Sequence, residues 1–365
     1  MPESTTEPRQ PQRSRSQLRR PRRRRTVLAL VIVAALAATA AFTLRTPSPV
    51  GHWDSAEGLD RYLAAYDEAF AELPPPDATL DVRTEYGTVR VYRFAATNEQ
   101  SAESVQSAES TAPADSAELS DAQQPAADPL VLVPGRSSGV PVWADNLPSL
   151  RTIADVYALD LLGEPGRSVQ ERPLDSDADQ AAWLDETLAQ LPEERFHLVG
   201  LSIGGWSAVN LAVHSTAHVS ALTVLDPPFV FDDIPIGTVL RTIPVSVPWA
   251  PRAWRDEFSS YTAGGAPVED VPVARMIEAG MQHYRLRVPA PTRITEDQLE
   301  SLDVPVLALL AGQSVMNDPD AAATTATRVL GHESVRVYPD ASHALNGEYP
   351  QEIADDISEF IRTLP

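Results

Sequence analysis

The chain has 365 residues, no cysteine and no lysine, and its formal net charge at neutral pH is −22. This length could hold two domains of ordinary size. The lack of cysteine excludes a disulfide framework, thiol chemistry and cysteine-based zinc sites. Ten arginines and two glutamates lie within the first 45 residues, so the remainder carries a net charge of −30. Such an acidic remainder argues against nucleic acid and anionic lipid as its partners.

The N-terminal residues differ in composition from all that follows. Nine arginines and two glutamates precede Thr26, which predicts a basic, disordered tail over residues 1–25. The uncharged apolar run of residues 26–44 is about as long as the hydrocarbon layer of a bilayer is thick. We therefore expect a membrane-spanning segment with a cytoplasmic tail and an extracytoplasmic domain. A cleaved secretory signal is the alternative, because Ala38-Thr39-Ala40 fits a small-x-small cleavage site.

The rest of the chain is predicted to be a linker with a lead-in helix, residues 45–76, followed by one domain, residues 77–365. Two β-type runs, Leu80–Arg83 and Thr88–Phe94, predict a hairpin at the start of this domain. Residues 95–128 are rich in Ser, Ala, Glu and Gln and contain the pentapeptide QSAES twice. Their low hydrophobicity predicts a disordered insertion between strands.

A serine within G-x-S-x-G carries the strongest chemical signal. Ser202 lies between Gly200 and Gly204, after an apolar run and before a helix-competent run. This context predicts a strained strand-to-helix turn that exposes the serine hydroxyl over the end of a sheet. The first N–H groups of the helix would then face an oxyanion formed on Ser202. An ordinary strand–turn–helix corner is the alternative for the pentapeptide alone.

An acid and a histidine follow the serine along the chain. An apolar strand over Val304–Leu310 leads into an aspartate-bearing loop, and a strand over Ser334–Tyr338 leads to His343. Because imidazole titrates near working pH, His343 is the candidate general base. A solvated loop histidine is the alternative reading of this residue. The other histidines have no comparable context, and we expect His197 to pack within its strand.

Between residues 227 and 300 the alternation of strands stops and proline-rich segments enclose a helical pattern. The apolar positions of that pattern are Met276, Ile277, Gly280, Met281 and Tyr284. They could line an acyl pocket or form ordinary core. Near the C-terminus a one-sided apolar pattern predicts a helix that covers the sheet. Its positions are Ile353, Ile357, Phe360 and Ile361.

In these features the chain resembles the α/β-hydrolase family, and most nearly its carboxylesterase-like serine hydrolases of actinobacterial type. Residues 132–138, followed by Trp143, resemble the oxyanion loop of the family, and residues 156–168 resemble its next strand and loop. The likeness extends over residues 77–365. It implies an α/β fold with a mostly parallel sheet flanked by helices, in which residues 227–300 form an inserted helical cap.

The resemblance also implies a catalytic triad of Ser202, His343 and an aspartate. Relatives usually carry the acid a few residues after the glycine that ends the preceding strand, but here uncharged residues, Gln313, Ser314 and Val315, follow Gly312. We therefore expect Asp318 to be the acid, delivered by a longer loop. Asp226, at the end of a strand over Ala221–Leu225, is the rival, and Asp320 is a further alternative.

Two backbone N–H groups would stabilise the oxyanion, those of Ile203 and Arg136. The expected function is hydrolysis of a small carboxylic ester or similar acyl compound through an acyl-enzyme. No cofactor or metal is expected, because the glycine-rich turn lacks the lysine of a phosphate loop and no HExxH pattern occurs. The same triad could cleave an amide, a lactone or a carbon–carbon bond. A non-catalytic, surface-anchored binding protein is the alternative from another class, favoured by the missing carboxylate after Gly312.

Overall fold

The structure is a computed structural model. In the part of the chain that it describes, most of the strands belong to one large sheet. The described residues are 48–97, 127–245 and 251–364. The predicted basic tail and apolar segment, residues 1–44, lie outside them, as does most of the predicted insertion over residues 95–128. Within the described ranges, no helix is both long enough and apolar enough to cross a membrane.

Eleven strands occur in the described residues, and nine of them belong to the large sheet. In chain order they are β1 (His52–Trp53), β2 (Ala78–Arg83), β3 (Gly87–Phe94), β4 (Leu130–Val133), β5 (Val156–Leu159), β6 (Val169–Gln170), β7 (Phe196–Leu201), β8 (Val219–Leu225), β9 (Tyr284–Arg285), β10 (Val306–Ala311) and β11 (Val335–Tyr338). The sheet runs in the order β11-β10-β8-β7-β4-β5-β3-β2, with β6 paired to β3. From β5 to β11 in this order all neighbours are parallel, whereas β3 is antiparallel to both β2 and β5.

The parallel strands inside the sheet are buried on both faces, which explains their continuous apolar sequences, whereas the edge strand β11 is partly exposed. All residues of β4, β7 and β10 are buried. Helices supply the cover: α1 (Ala56–Phe70), α2 (Leu147–Leu150), α3 (Asp177–Leu188), α4 (Ile203–His214), α5 (Ile236–Val245), α6 (Arg252–Thr262), α7 (Pro272–His283), α8 (Glu296–Glu300), α9 (Pro319–Leu330), α10 (Leu345–Glu348) and α11 (Pro350–Thr363). The expected mostly parallel sheet with flanking helices is thereby confirmed.

Two hydrophobic clusters contain the side chains that pack helices against the sheet. One includes Trp206 of α4 and Leu184 of α3. The other includes Trp143, from a short 3₁₀ turn after β4, and Ile357 of α11. The predicted closing helix therefore buries its apolar stripe, and His197 is 1% exposed within β7, where its Nε2 lies 2.8 Å from Thr223 Oγ1.

A third cluster joins the start of the domain to the region between β8 and β10. Tyr62 and Tyr66 of α1 pack with Met276 and Ala279 of α7. Strands β1 and β9, which are close in the chain to α1 and α7 respectively, also pair with each other in antiparallel orientation. The two segments are therefore joined both by helix packing and by strand pairing. The helix expected only as a lead-in thus forms one structural unit with α7. Met276 is fully buried in this unit, so it is a core residue.

Candidate active site

Ser202 occupies a sharp turn between β7 and α4. Its backbone has φ 53° and ψ −121°, a left-handed conformation that is costly for a residue other than glycine. The flanking glycines allow the helix to approach the sheet: a Cβ on Gly200 would lie 2.5 Å from Gly204 O, and one on Gly204 would lie 2.1 Å from Val133 O. Neither position could hold a side chain without moving the backbone. The turn therefore has the geometry of a nucleophile elbow.

His343 links this serine to a buried carboxylate. Its Nε2 lies 2.9 Å from Ser202 Oγ, and its Nδ1 lies 2.6 Å from Asp226 Oδ2. The imidazole is 14% exposed and the carboxylate is fully buried. Each residue follows the carboxyl end of a parallel strand, namely β7, β8 and β11, and these ends share one edge of the sheet.

The carboxylate of Asp226 is surrounded by donors. Ser314 Oγ donates to its Oδ2 at 2.6 Å, and Asn317 Nδ2 donates to its Oδ1 at 3.0 Å. Burial by itself would raise the pKa of Asp226, but the hydrogen bonds from His343, Ser314 and Asn317 outweigh it and hold that pKa below its usual range. Asp226 is therefore a carboxylate at neutral pH, which fixes the tautomer of the histidine.

The expectation that Asp318 faces the histidine is wrong. Asp318 is exposed and is the N-cap of α9, where its side chain accepts a hydrogen bond from Ala321 N at 3.1 Å. Asp320 lies two positions further, in the first turn of α9, and is also exposed. The structure places the rival candidate, Asp226, against His343 instead.

A signal for Asp226 was present in the sequence but could not decide between the candidates. The position shortly after Gly312, where a carboxylate was missing, holds Ser314, whose hydroxyl donates to Asp226. The loop after β10 thus supports an acid supplied by the neighbouring strand β8. A donor instead of an acceptor at this position is what an acid on β8 requires, because the buried carboxylate needs hydrogen bonds.

The two backbone N–H groups expected to bind an oxyanion lie on either side of the serine in the chain. Ile203 is the first residue of α4, so its N–H has no acceptor within the helix. Arg136 follows Gly135, where a Cβ would lie 3.5 Å from Ser202 Cβ. Among the described residues, neither N–H has a backbone or side-chain acceptor. Both are therefore available to a substrate oxygen.

Two buried carboxylates behind the oxyanion loop were missed at the sequence level. Asp160, just after β5, accepts hydrogen bonds from Val140 N at 2.8 Å, Arg167 N at 2.7 Å and Tyr66 Oη at 3.0 Å. Burial raises its pKa, and the hydrogen bonds from Arg167, Val140 and Tyr66 oppose that effect. Glu164 forms an ion pair with Arg136 at 2.9 Å. Only their place in the stretch 156–168, which resembles the family's strand and loop, pointed to them.

The described residues contain no group of three or more His, Asp or Glu side chains arranged to hold a metal ion. They do contain a hydroxyl within hydrogen-bond distance of an imidazole, which in turn contacts a buried carboxylate. This arrangement can activate the hydroxyl as a nucleophile by general-base catalysis.

Comparisons with known proteins agree with this geometry. A family model described as "Alpha/beta hydrolase family" matches residues 130–356. The chain is similar to an uncharacterized carboxylesterase, nap, of Bacillus subtilis (strain 168), with 25% identity over 241 residues that cover 64% of this chain and 79% of that protein. It is also similar to carboxylesterase YbfK of the same organism, with 22% identity over 308 residues, covering 82% and 93% respectively. The crystal structure of naproxen esterase from Bacillus subtilis has a TM-score of 0.70 at 21% identity and covers 84% of this chain and 99% of its own.

Proposed function

The chain belongs to the alpha/beta hydrolase family, and on this premise we propose that it hydrolyses a carboxylic ester through an acyl-enzyme on Ser202. The observation that carries the proposal is the line of contacts from Ser202 Oγ through His343 to Asp226, at 2.9 and 2.6 Å. The names of its relatives, two of them carboxylesterases, favour an ester over other acyl compounds.

In the first half of the reaction His343 Nε2 accepts the proton of Ser202 as the oxygen attacks the acyl carbon. Asp226 stabilises the imidazolium that forms, since its carboxylate accepts the Nδ1–H. The N–H groups of Ile203 and Arg136 donate to the oxyanion of the tetrahedral intermediate. When the intermediate collapses, the imidazolium gives its proton to the departing alkoxide, which leaves as an alcohol.

In the second half a water molecule takes the place of the alcohol. His343 accepts a proton from the water as it attacks the acyl carbon, and the same N–H groups stabilise the second oxyanion. The bond to Ser202 Oγ then breaks, the serine recovers its proton from His343, and the acid departs. Every proton in the cycle passes through one imidazole, so no metal ion is required.

The test combines covalent labelling with turnover. We expect a fluorophosphonate to label wild-type protein stoichiometrically at Ser202, and p-nitrophenyl acetate to be hydrolysed with a burst when deacylation is slow. Ser202→Ala should abolish both, while Ser207→Ala is a matched control, because that hydroxyl is buried in α4 and donates to Ile203 O. A folded wild type that is neither labelled nor active would refute the proposal and favour a binding protein.

Amides, lactones and carbon–carbon bonded substrates belong in the same assay, because the triad chemistry is shared among them. The observation that favoured a non-catalytic protein was the missing carboxylate after Gly312. Asp226 supplies a carboxylate from the neighbouring strand, so this argument no longer supports that alternative.

We also propose that the enzyme is exported and remains tethered to the cell membrane through residues 26–44, with the catalytic domain outside the cytoplasm and the arginine-rich tail inside. Support comes from the sequence alone: an uncharged apolar run follows nine arginines. Secretion after cleavage of the segment is the alternative. Membrane fractionation with alkaline extraction, together with the mass of the extracellular product, distinguishes the two, and a cytoplasmic soluble product would contradict both.

A further inference from the structure

The loop that carries the N–H group of Arg136 has a backbone that needs support. Ser137 has φ 58° and Gly139 also has φ 58°, so two of its residues are left-handed and one of them bears a side chain. A loop with such dihedral angles keeps its shape only where surrounding contacts hold it. The contacts that hold this loop decide whether its N–H group is aligned with the oxyanion.

Ser138 fixes the peptide group that contains the Arg136 N–H. Its backbone N and its Oγ lie 3.3 and 2.7 Å from Gly135 O and donate to it. In a planar trans peptide the C=O of Gly135 and the N–H of Arg136 point in opposite directions. Holding the carbonyl towards Ser138 therefore turns the N–H away from Ser138, and the described part of the chain offers it no acceptor.

Glu164 fixes the next peptide group. Its Oε2 accepts a hydrogen bond from Ser137 N at 3.2 Å, and its Oε1 pairs with the Arg136 guanidinium at 2.9 Å. The glutamate side chain is 6% exposed and the arginine side chain 39%. One buried carboxylate thus restrains the backbone of Ser137 and the side chain of Arg136, the residue that supplies the proposed donor.

We propose that Glu164 is a positioning residue for the reaction: it holds Arg136 and Ser137 so that the Arg136 N–H is aligned with the oxyanion. This inference rests on the proposed function. Glu164 touches no reacting atom and acts only through the loop. It also occupies the N–H of Ser137, which leaves the Arg136 N–H as the donor that this part of the loop offers to substrate.

Burial supports this assignment. It raises the pKa of Glu164, and the contacts with Arg136 and the Ser137 N–H offset only part of that effect, so the buried carboxylate depends on these two partners. Within the described ranges both donors to this buried carboxylate lie on one loop, so it is expected to restrain that loop strongly. Substitution of Glu164 should therefore disturb the loop before it disturbs the sheet.

The matched control is Asp155, which lies at the opposite end of β5. Like Glu164, it accepts a hydrogen bond from a backbone N–H, that of Ala96 at 2.8 Å, and pairs with one arginine, Arg93 at 2.5 Å. The two acids share the same pattern of partners, but Glu164 contacts the loop that carries the Arg136 N–H, whereas Asp155 contacts Ala96 and Arg93. Asp155→Asn therefore measures what the loss of such a pair does without a role in the reaction.

The experiment compares full-length wild type, Glu164→Ala, Glu164→Gln and Asp155→Asn on a p-nitrophenyl ester and on the corresponding thionoester. Sulfur accepts hydrogen bonds weakly, so a thionoester benefits little from aligned N–H donors. For Glu164→Ala we expect kcat on the ester to fall about 10- to 100-fold, with KM changed less than about twofold. This fall is smaller than that for deletion of an oxyanion donor, because the Arg136 N–H would be misaligned and not removed. On the thionoester the loss should be much smaller.

Glu164→Gln should recover part of the ester rate, because its amide oxygen still accepts from Ser137 N. Asp155→Asn should leave the ester-to-thionoester ratio as in wild type. An unchanged ratio in Glu164→Ala, or the same drop in Asp155→Asn, overturns the inference. If Glu164→Ala does not fold, as judged by circular dichroism, Glu164→Gln provides the test through the same ratio. A wild type that turns over neither substrate refutes the proposed function itself.

Discussion

Replacing Asp226 by asparagine tests the assignment of the acid directly. The carboxylate oxygen Oδ2 accepts from both His343 Nδ1 and Ser314 Oγ, each at 2.6 Å. An asparagine NH₂ in that position would donate to Nδ1 and place the imidazole proton on Nε2, which faces Ser202 Oγ at 2.9 Å. A protonated Nε2 cannot accept the serine proton, so the base is lost.

The other orientation of the asparagine amide is no better. Its NH₂ would then point at Asn317 Nδ2, which donates to Oδ1 of Asp226 at 3.0 Å, and at the N–H of Ala311. The asparagine NH₂ would then face two other N–H donors in a fully buried position, which is unfavourable because none of these donors would have an acceptor there. In both orientations the negative charge that stabilises the imidazolium is gone. We expect kcat/KM to fall about 10⁴-fold, which corresponds to about 5 kcal/mol of transition-state stabilisation.

The assay is kcat/KM for p-nitrophenyl acetate together with the rate of fluorophosphonate labelling. Asp318→Asn is the matched control, because asparagine caps a helix as well as aspartate does. It should alter neither the rate nor, beyond a few tenths of a kcal/mol, the stability. The reasoning fails if Asp226→Asn keeps activity within about tenfold of wild type, or if Asp318→Asn shows the larger loss.

Three further outcomes follow from burial, packing and chemistry. Burial lowers the pKa of His197 to about 3, so below about pH 6.5 only the unfolded chain takes up this proton and stability falls as the pH falls. Between pH 7 and 5 the free energy of unfolding, measured in urea titrations, should therefore fall by about 2 kcal/mol less in His197→Gln than in wild type. An unaltered pH dependence would contradict this. Gly204→Ala should lower the free energy of unfolding by about 3 kcal/mol or more, since its Cβ would lie 2.1 Å from Val133 O. Gly237→Ala, whose Cβ would have nothing within 4 Å, should stabilise α5 by about 0.5–1 kcal/mol. Equal effects of the two substitutions in thermal unfolding would refute the packing argument. A chelator should leave ester turnover unchanged, and its loss on chelation would show that the proposed proton relay is incomplete.

Local sequence patterns were sufficient to predict the turn at Ser202 and the candidate base, His343. The glycines around Ser202 are required by close backbone approaches within a span of a few residues, and the apolar run before Ser202 is typical of a strand covered on both faces. The β-type run before His343 forms the partly exposed edge strand β11. Because parallel strands end at one edge of a sheet, the approach of these two side chains could be predicted without knowing any contact between them.

The sequence by itself determined the fold class and the candidates for nucleophile and base, because each depends on a short pattern whose physical cause is local. The candidate acid was decided only by the tertiary structure. Asp226 and Asp318 both follow strands that end at the same edge, and the difference lies in distant contacts: β8 sits next to β7, and Ser314 and Asn317 turn towards Asp226 while Asp318 caps α9. The supports of the oxyanion loop and the union of α1 with α7 likewise join residues far apart in the chain. Such contacts depend on the register and packing of whole elements, which no single segment encodes.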